Sequence, residues 1–292
     1  MSILLRSDDR DEEGGNDNGD SSPLARYAAE YWMVHAQFEH VSSYLRTSME
    51  SLFDLDKPYF AAWLKLYNID TPSPKGSTFY MFTSTSAQRR GSPLYYAALC
   101  GFQDLVQKLI IESPQHVNDG GGWYVRPLVA ALAGKHFRTA ELLRLSGADP
   151  NVRCFNKNTP LHSAACYGDV EMVQVLLNLG ADVYIRNGRF RSPLHFVSIP
   201  PYDSERPNSP RSFANVARLL LDRCVDINAR DDEDRTALHT ATNMGEIEVI
   251  HVLLEHGANV GAKDKRGRIS FSLAKERRFD SVIKLLSEHG AQ

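Results

Sequence analysis

Cysteine is scarce in this chain: four in 292 residues, at Cys100, Cys154, Cys166 and Cys224, with no Cys-x-x-Cys pair. That spacing offers neither a disulfide framework nor a zinc site, so reduced thiols of an intracellular protein are expected. Long apolar runs are missing as well. Stretches such as Val175-Leu176-Leu177 fall far short of the roughly 18 apolar residues of a membrane span. Basic charge is not in excess, with 33 Lys and Arg against 36 Asp and Glu and a formal net charge of -3. A general nucleic-acid binder would carry a basic domain or stripe, so no nucleic-acid partner is expected. There is no G-x-x-x-x-G-K-[ST] phosphate loop, no H-E-x-x-H and no EF-hand loop. The run Gly120-Gly121-Gly122 lacks the lysine of a phosphate loop. Neither a catalytic residue, a cofactor nor a metal is expected. The start Ile3-Leu4-Leu5 soon meets Asp8, Asp9, Asp11, Glu12 and Glu13, which is not the pattern of a secretory signal.

What the chain does have is repetition. Ser92-Pro93-Leu94-Tyr95 recurs as Arg126-Pro127-Leu128-Val129, Thr159-Pro160-Leu161-His162, Ser192-Pro193-Leu194-His195 and Thr236-Ala237-Leu238-His239. A decayed copy stands at Ile269-Ser270-Phe271-Ser272. The steps between first positions are 34, 33, 33, 44 and 33 residues. A second marker keeps the same phase: Gly147-Ala148-Asp149, Gly180-Ala181-Asp182, Gly257-Ala258-Asn259 and the worn Cys224-Val225-Asp226. Thr159 to Gly180 is 21 residues but Ser192 to Cys224 is 32, so an insertion of 11 explains the long step.

A period of about 33 residues carrying T-P-L-H-x-A resembles the ankyrin repeat. The resemblance implies an all-α ankyrin-repeat α-solenoid with β-hairpin loops, six repeats over 91–292 and an insertion near 200–212. The residues suit that fold. Pro160 can open a first helix, where its missing N–H costs nothing. The Thr159 hydroxyl oxygen can cap it, and Ala164 and Ala165 allow close helix approach. Gly168 fits the turn between helices. Met172, Val173, Val175, Leu176 and Leu177 give the second helix a buried stripe, and Gly180 closes it. Lys135 stands at the inter-helix glycine position of the second repeat, after Gly134, so that turn is expected to differ. The sixth copy carries Lys275, Glu276, Arg277 and Arg278, the polar character of a C-terminal cap.

Residues 1–21 are acidic and rich in Gly, Asn and Ser, a composition expected to stay disordered. Over 22–70, Leu24, Tyr27, Ala28, Tyr31 and Trp32, and later Phe60, Trp63 and Leu64, follow helical spacing. A helical cap over the first repeat is expected there. Residues 71–90, with Pro72, Pro74 and Gly76, read as a linker.

Histidine holds the fourth motif position at His162, His195 and His239. In proteins of this kind it bonds neighbouring repeats, and that structural role is expected here. His162 and Cys166 lie four apart on one helix, but a catalytic thiolate also needs activation and a cleft, and neither is indicated. Recognition is expected at the inter-repeat loops. These carry Trp123 and Tyr124, then Phe155, then the basic and aromatic set Arg189, Phe190 and Arg191. The acidic tip around Asp232 and Glu233 follows. Aromatics and arginine at exposed tips match interface hot spots in type. Packing between hairpins, and solubility for the charges, are the competing explanations.

Residues 22 to about 200 also resemble the region after the NTPase of fungal NACHT–ankyrin receptor-like proteins. The segments concerned are 23–32, 59–64, 93–102 and 127–137. That likeness implies the sensor or scaffold half of such a receptor. The expected function is non-catalytic protein recognition by a monomer in the cytoplasm or nucleus, with no membrane partner. An adaptor presenting a client to a ligase, or part of a nucleotide-dependent switch, are the alternatives.

Overall fold

The computed structural model describes residues 91–122, 124–199 and 212–290. The expected tail (1–21), helical cap (22–70) and linker (71–90) lie outside the described residues, as do Trp123 and residues 200–211 of the insertion. The described chain falls into two compact units that meet in sequence at Gly147 and Ala148. Among the described residues there is no β-strand. The expected β-hairpins are present as turns rather than as ladders.

The first unit holds two helix pairs, α1 (Pro93–Cys100) with α2 (Gln103–Glu112) and α3 (Pro127–Ala133) with α4 (Phe137–Leu145). Ser92 caps α1 in the ordinary way, its Oγ accepting the Tyr95 N–H at 3.2 Å. The first helices are buried on nearly every side, which their small and apolar sequences YYAALC and LVAALA allow. Tyr95 and Tyr96 meet edge to face at 4.9 Å. The Tyr95 ring also explains the last glycine of the run. A Cβ on Gly122 would sit 2.4 Å from that ring, at a backbone φ of +69° that favours glycine.

The second unit contains α5 (Pro160–Tyr167), α6 (Val170–Asn178), α7 (Pro193–Phe196), α8 (Phe213–Leu221), α9 (Ala237–Met244), α10 (Ile247–Glu255), α11 (Ser270–Arg277) and α12 (Asp280–Glu288). The first helices α5, α7, α9 and α11 pack successively in one row, and the second helices α6, α8, α10 and α12 in another. Ala164 and Ala165 have no exposed surface, so the rows can approach closely. On α6 the stripe Met172, Val173, Leu176 and Leu177 is buried, while Val175 at its margin is half-buried. Each such side chain contributes roughly 1.5–3 kcal/mol of transfer free energy.

One closure repeats between the paired helices. The residue after the turn donates its N–H to a carbonyl of the first helix: Phe102 to Ala97, His136 to Ala131, Asp169 to Ala164, Glu246 to Ala241 and Phe279 to Ala274, at 2.9–3.1 Å. Each turn holds one left-handed residue: Gly101, Lys135, Gly168, Gly245 and Arg278. The second repeat therefore does not differ, contrary to expectation. Lys135 adopts φ +58° against a steric cost of roughly 1–2 kcal/mol. The fourth repeat does depart. Its first helix α7 is four residues long where α5 has eight, so the insertion displaces half a helix and not the turn alone.

Candidate functional site

The loops of the last three repeats share one construction. Asn187, Asp231 and Asp264 each accept two backbone N–H groups on Oδ1, from the residues two and four further on, at 2.8–3.0 Å. A short side chain that bonds its own backbone in this way sets a tight turn without a strand. Asp231 and Asp264 also take the arginine that ends the loop. Arg235 and Arg268 approach Oδ2 through Nη2 at 2.8 Å. Burial alone would raise the Asp231 carboxyl, but the Arg235 guanidinium and the backbone donors outweigh it and hold it at about 2. The loop that leads into the third repeat has Cys154 at the equivalent position and turns instead through Asn156 and Lys157, both at φ +57°. Single backbone bonds tie successive tips: Gly188 N–H to Asn156, Asp232 N–H to Arg189 and Lys265 N–H to Glu233, at 2.7–3.0 Å.

Of the residues expected to meet a partner, Phe190 is the exposed aromatic, with 61 % of its surface accessible. Its neighbours are engaged with each other. Arg189 Nε donates to Asp232 at 3.0 Å, and Arg191 Nε donates to Asp231 at 3.1 Å. The basic loop and the acidic loop thus neutralise one another between adjacent repeats. Glu233 is half-buried and supplies the carbonyl that receives Lys265. Tyr124 requires a correction. It is 7 % exposed and donates its backbone N–H to the Tyr95 hydroxyl at 3.1 Å, so it is a packing residue of the first unit. Trp123 lies outside the described residues, and Phe155 is placed by its backbone in the turn Phe155–Lys157.

One set of residues escaped the sequence reading. Arg153 donates through Nη1 to the carbonyl of Arg186 at 3.2 Å, Arg186 to that of Arg230 at 3.2 Å, and Arg230 to that of Lys263 at 2.8 Å. Each stands six residues before its repeat's motif. Superposing the repeats would have shown a column of three arginines and a lysine. Asn151 and Asn228 form a second column, accepting the N–H groups of Asp182 and Asn259 in the following repeat at 2.8 and 2.9 Å.

The motif histidines are consumed structurally. His162 Nε2 bonds the Arg191 carbonyl at 3.0 Å, His195 that of Arg235 at 3.1 Å, and His239 that of Arg268 at 3.2 Å. A carbonyl can only accept, so Nε2 carries the proton. Nδ1 is then an acceptor, receiving the backbone N–H of Thr159, Ser192 or Thr236 at 3.2 Å and the hydroxyl of the same residue at 2.9 Å. Thr159 and His162 thus form a capping box, in which the imidazole accepts the Thr159 N–H and is held by the Thr159 hydroxyl. Burial pushes His162 and His195 down to about 4. Cys166 is buried and donates its thiol to the Ile199 carbonyl at 3.1 Å, and burial pushes the Cys100 thiol well up. Neither has the character of an activated thiolate. Among the described residues no cluster of three His, Cys, Asp or Glu could hold a metal. No described helix is long and apolar enough to cross a membrane.

A stack of helix pairs whose polar side chains are spent on joining one pair to the next defines a repeat protein built to present a surface. The model of ankyrin repeats matches residues 94–187 and 211–292, and the chain belongs to the ankyrin-repeat family. Families of this kind are protein-interaction modules and are generally non-enzymatic. The chain is 31 % identical over 142 residues to azaphilone pigments biosynthesis cluster protein L of Monascus ruber, covering 44 % of this chain and 28 % of that one. It is 31 % identical over 147 residues to ankyrin repeat and SAM domain-containing protein 6 of Mus musculus, covering 49 % and 15 %. With the E3 ubiquitin-protein ligase KEG of Arabidopsis thaliana it shares 32 % over 108 residues, 37 % of this chain and 6 % of that one. The matches thus span less than a third of these relatives' own length.

Proposed function

We propose that this chain is a non-catalytic protein-recognition module acting as an intracellular monomer, and that its second unit meets the partner with the loop edge around Phe190. The observation that carries this is a large aromatic held 61 % exposed on a tip fixed by the Arg189–Asp232 pair and by backbone bonds to both neighbouring tips. Rigid exposed aromatics beside arginine are the residues that dominate interfaces. Phe155 and Trp123, aromatic in type at other inter-repeat loops, are further candidates. The finer reading, a sensor half of a NACHT-type receptor, draws on the likeness of residues 22 to about 200 and on a relative from a fungus. A client-presenting adaptor draws on the likeness to part of a plant ubiquitin ligase.

The test is affinity capture on the full chain followed by mass spectrometry, with wild type and Phe190→Ala side by side. The expected result is a specific protein retained by wild type and lost from Phe190→Ala, with the two melting alike. A surface substitution of this kind changes stability by about 0.5 kcal/mol or less. Equal retention by both overturns the assignment to this edge. Robust turnover of a substrate by the purified chain overturns the non-catalytic reading.

A further inference from the structure

The four loops of the second unit concentrate positive charge in a chain whose formal net charge is -3. Segments 151–159, 184–192, 228–236 and 261–269 hold 11 Lys and Arg against 5 Asp and Glu, a local net of +6. Much of the acidic share is spoken for, since Asp231, Asp232 and Asp264 are bound by Arg235, Arg189 and Arg268. The column Arg153, Arg186, Arg230 and Lys263 is different. All four are exposed, and none meets a carboxylate among the described residues. Their only partners are neutral: the carbonyl of the next residue in the column and, for Arg230, the Asp234 carbonyl at 3.3 Å. Carbonyl bonds hold each guanidinium in place without cancelling its charge. The other N–H groups of each fork stay available to a planar anion. The result is a row of three pre-ordered guanidiniums on successive loops, continued by Lys263 on the fourth.

We infer that this row binds an extended acidic peptide segment with a carboxylate at about every third residue. The inference rests on the reading of the chain as a protein-recognition module and gives its partner a chemistry. The spacing follows from the stack. Neighbouring helices pack about 8–10 Å apart, and a chain in the extended polyproline II conformation advances about 3.1 Å per residue with three residues per turn, so three residues bridge one repeat and every third side chain faces the row. A carboxylate at each step meets one guanidinium in the two-pronged geometry that arginine favours. Phe190 and Tyr184 are both 61 % exposed on the loop that carries Arg186, and they offer apolar surface to the residues between. The acidic tip Glu233 and Asp234 interrupts the field, which opposes a continuous phosphate backbone more than a peptide that can place a neutral residue there.

The probe is a fluorescent peptide with glutamate at every third position over ten residues, titrated by anisotropy into the full chain at several salt concentrations. A peptide of the same composition with its glutamates contiguous is the control. The periodic peptide should bind at least several-fold tighter, with affinity falling as salt rises because the charges are exposed. Arg186→Glu with Arg230→Glu should weaken it by about tenfold or more, whereas Lys284→Glu on the exposed side of α12 should not. Arg186→Gln with Arg230→Gln removes the charges without introducing repulsion, and circular-dichroism melts confirm which variants fold. Equal binding of the two peptides, or equal affinity in the folded glutamine variant, overturns the inference. So does single-stranded DNA that binds tighter than the peptide and displaces it. A captured protein partner alongside an inert peptide would leave the recognition reading standing and this inference refuted.

Discussion

Acid should loosen the second unit well before its carboxylates titrate, because of two histidines. His162 and His195 are 0 % and 1 % exposed, and each accepts a backbone N–H on Nδ1 while donating from Nε2. Adding a proton at Nδ1 would set two donors face to face, breaking the helix cap and burying a charge. Burial holds both groups down to about 4 from an ordinary value of 6.5. In the unfolded chain they take protons first, so the unfolded state binds more protons between those two values and stability falls as pH falls. The full contribution is present above pH 6.5, declines through the interval and levels off below about pH 4. A shift of that size corresponds to roughly 3 kcal/mol per histidine, large beside a total stability of about 5–15 kcal/mol. The aspartates act in a separate window. Asp231 is held at about 2, and its contribution is lost only as pH drops from its ordinary value towards that one. Urea unfolding of the full chain at pH 7, 6, 5 and 4 reads the effect, with the midpoint expected to fall at each step. His162→Gln keeps a donor for the Arg191 carbonyl but cannot titrate, so it should be less stable at pH 7 and show a shallower pH slope. A midpoint that stays flat from pH 7 to 4.5, or an unchanged slope in His162→Gln, refutes the role assigned to the buried ring.

Leu161 and Leu176, each with no exposed surface, should each cost about 2–5 kcal/mol when truncated to alanine, as cavity-forming changes do; urea midpoints at pH 7 measure this. Lys135→Gly should stabilise the chain by a few tenths to about 1 kcal/mol, because φ +58° is strained for lysine and free for glycine. The gain is partly offset by the greater freedom of glycine when unfolded. A lower melting temperature in Lys135→Gly would show that the lysine side chain holds the turn by other means.

The repeat could be read from the sequence because its two markers impose a backbone. Proline and a capping residue at 159–160, small residues at 164–165 and glycine at 168 and 180 correspond to a helix start, a close approach and two left-handed turns. Position 135 shows the limit of residue identity. The closure requires a left-handed residue there, the neighbouring carbonyls receive the same bonds, and lysine takes the strain. Thr159 shows another. Its hydroxyl is the natural cap by residue type, but the capping box also needs an imidazole three residues on, which accepts the Thr159 N–H and reaches the next repeat as well. The candidate edge was legible only in part. Sequence marks Phe190 as aromatic at a loop tip, and the structure leaves it exposed. It cannot show that Tyr124, with the same chemistry in a similar loop, turns inward under Tyr95. Nor does the local run of charges reveal its pairing. Arg189 and Asp232 are 43 residues apart, and only the 44-residue step between their repeats brings them together.

The same inter-repeat distances separate two uses of arginine that look alike in sequence. Arg191, Arg235 and Arg268 directly precede their motifs and are bound by buried carboxylates, Arg191 and Arg235 sharing Asp231 and Arg268 taking Asp264. Arg153, Arg186 and Arg230 stand five residues earlier in their repeats and are bound by carbonyls. In the first column the charge is cancelled within the protein and the bond serves cohesion between repeats. In the second the geometry is equally ordered but the charge is left uncancelled, even for Arg230, whose loop holds four carboxylates. A guanidinium bond to a carbonyl also joins successive repeats, but it leaves the charge standing, and a row of like charges repels itself. Cohesion therefore accounts for both charge and geometry in the first column but leaves the charge of the second unmatched, and an anionic partner is what that charge is suited to meet.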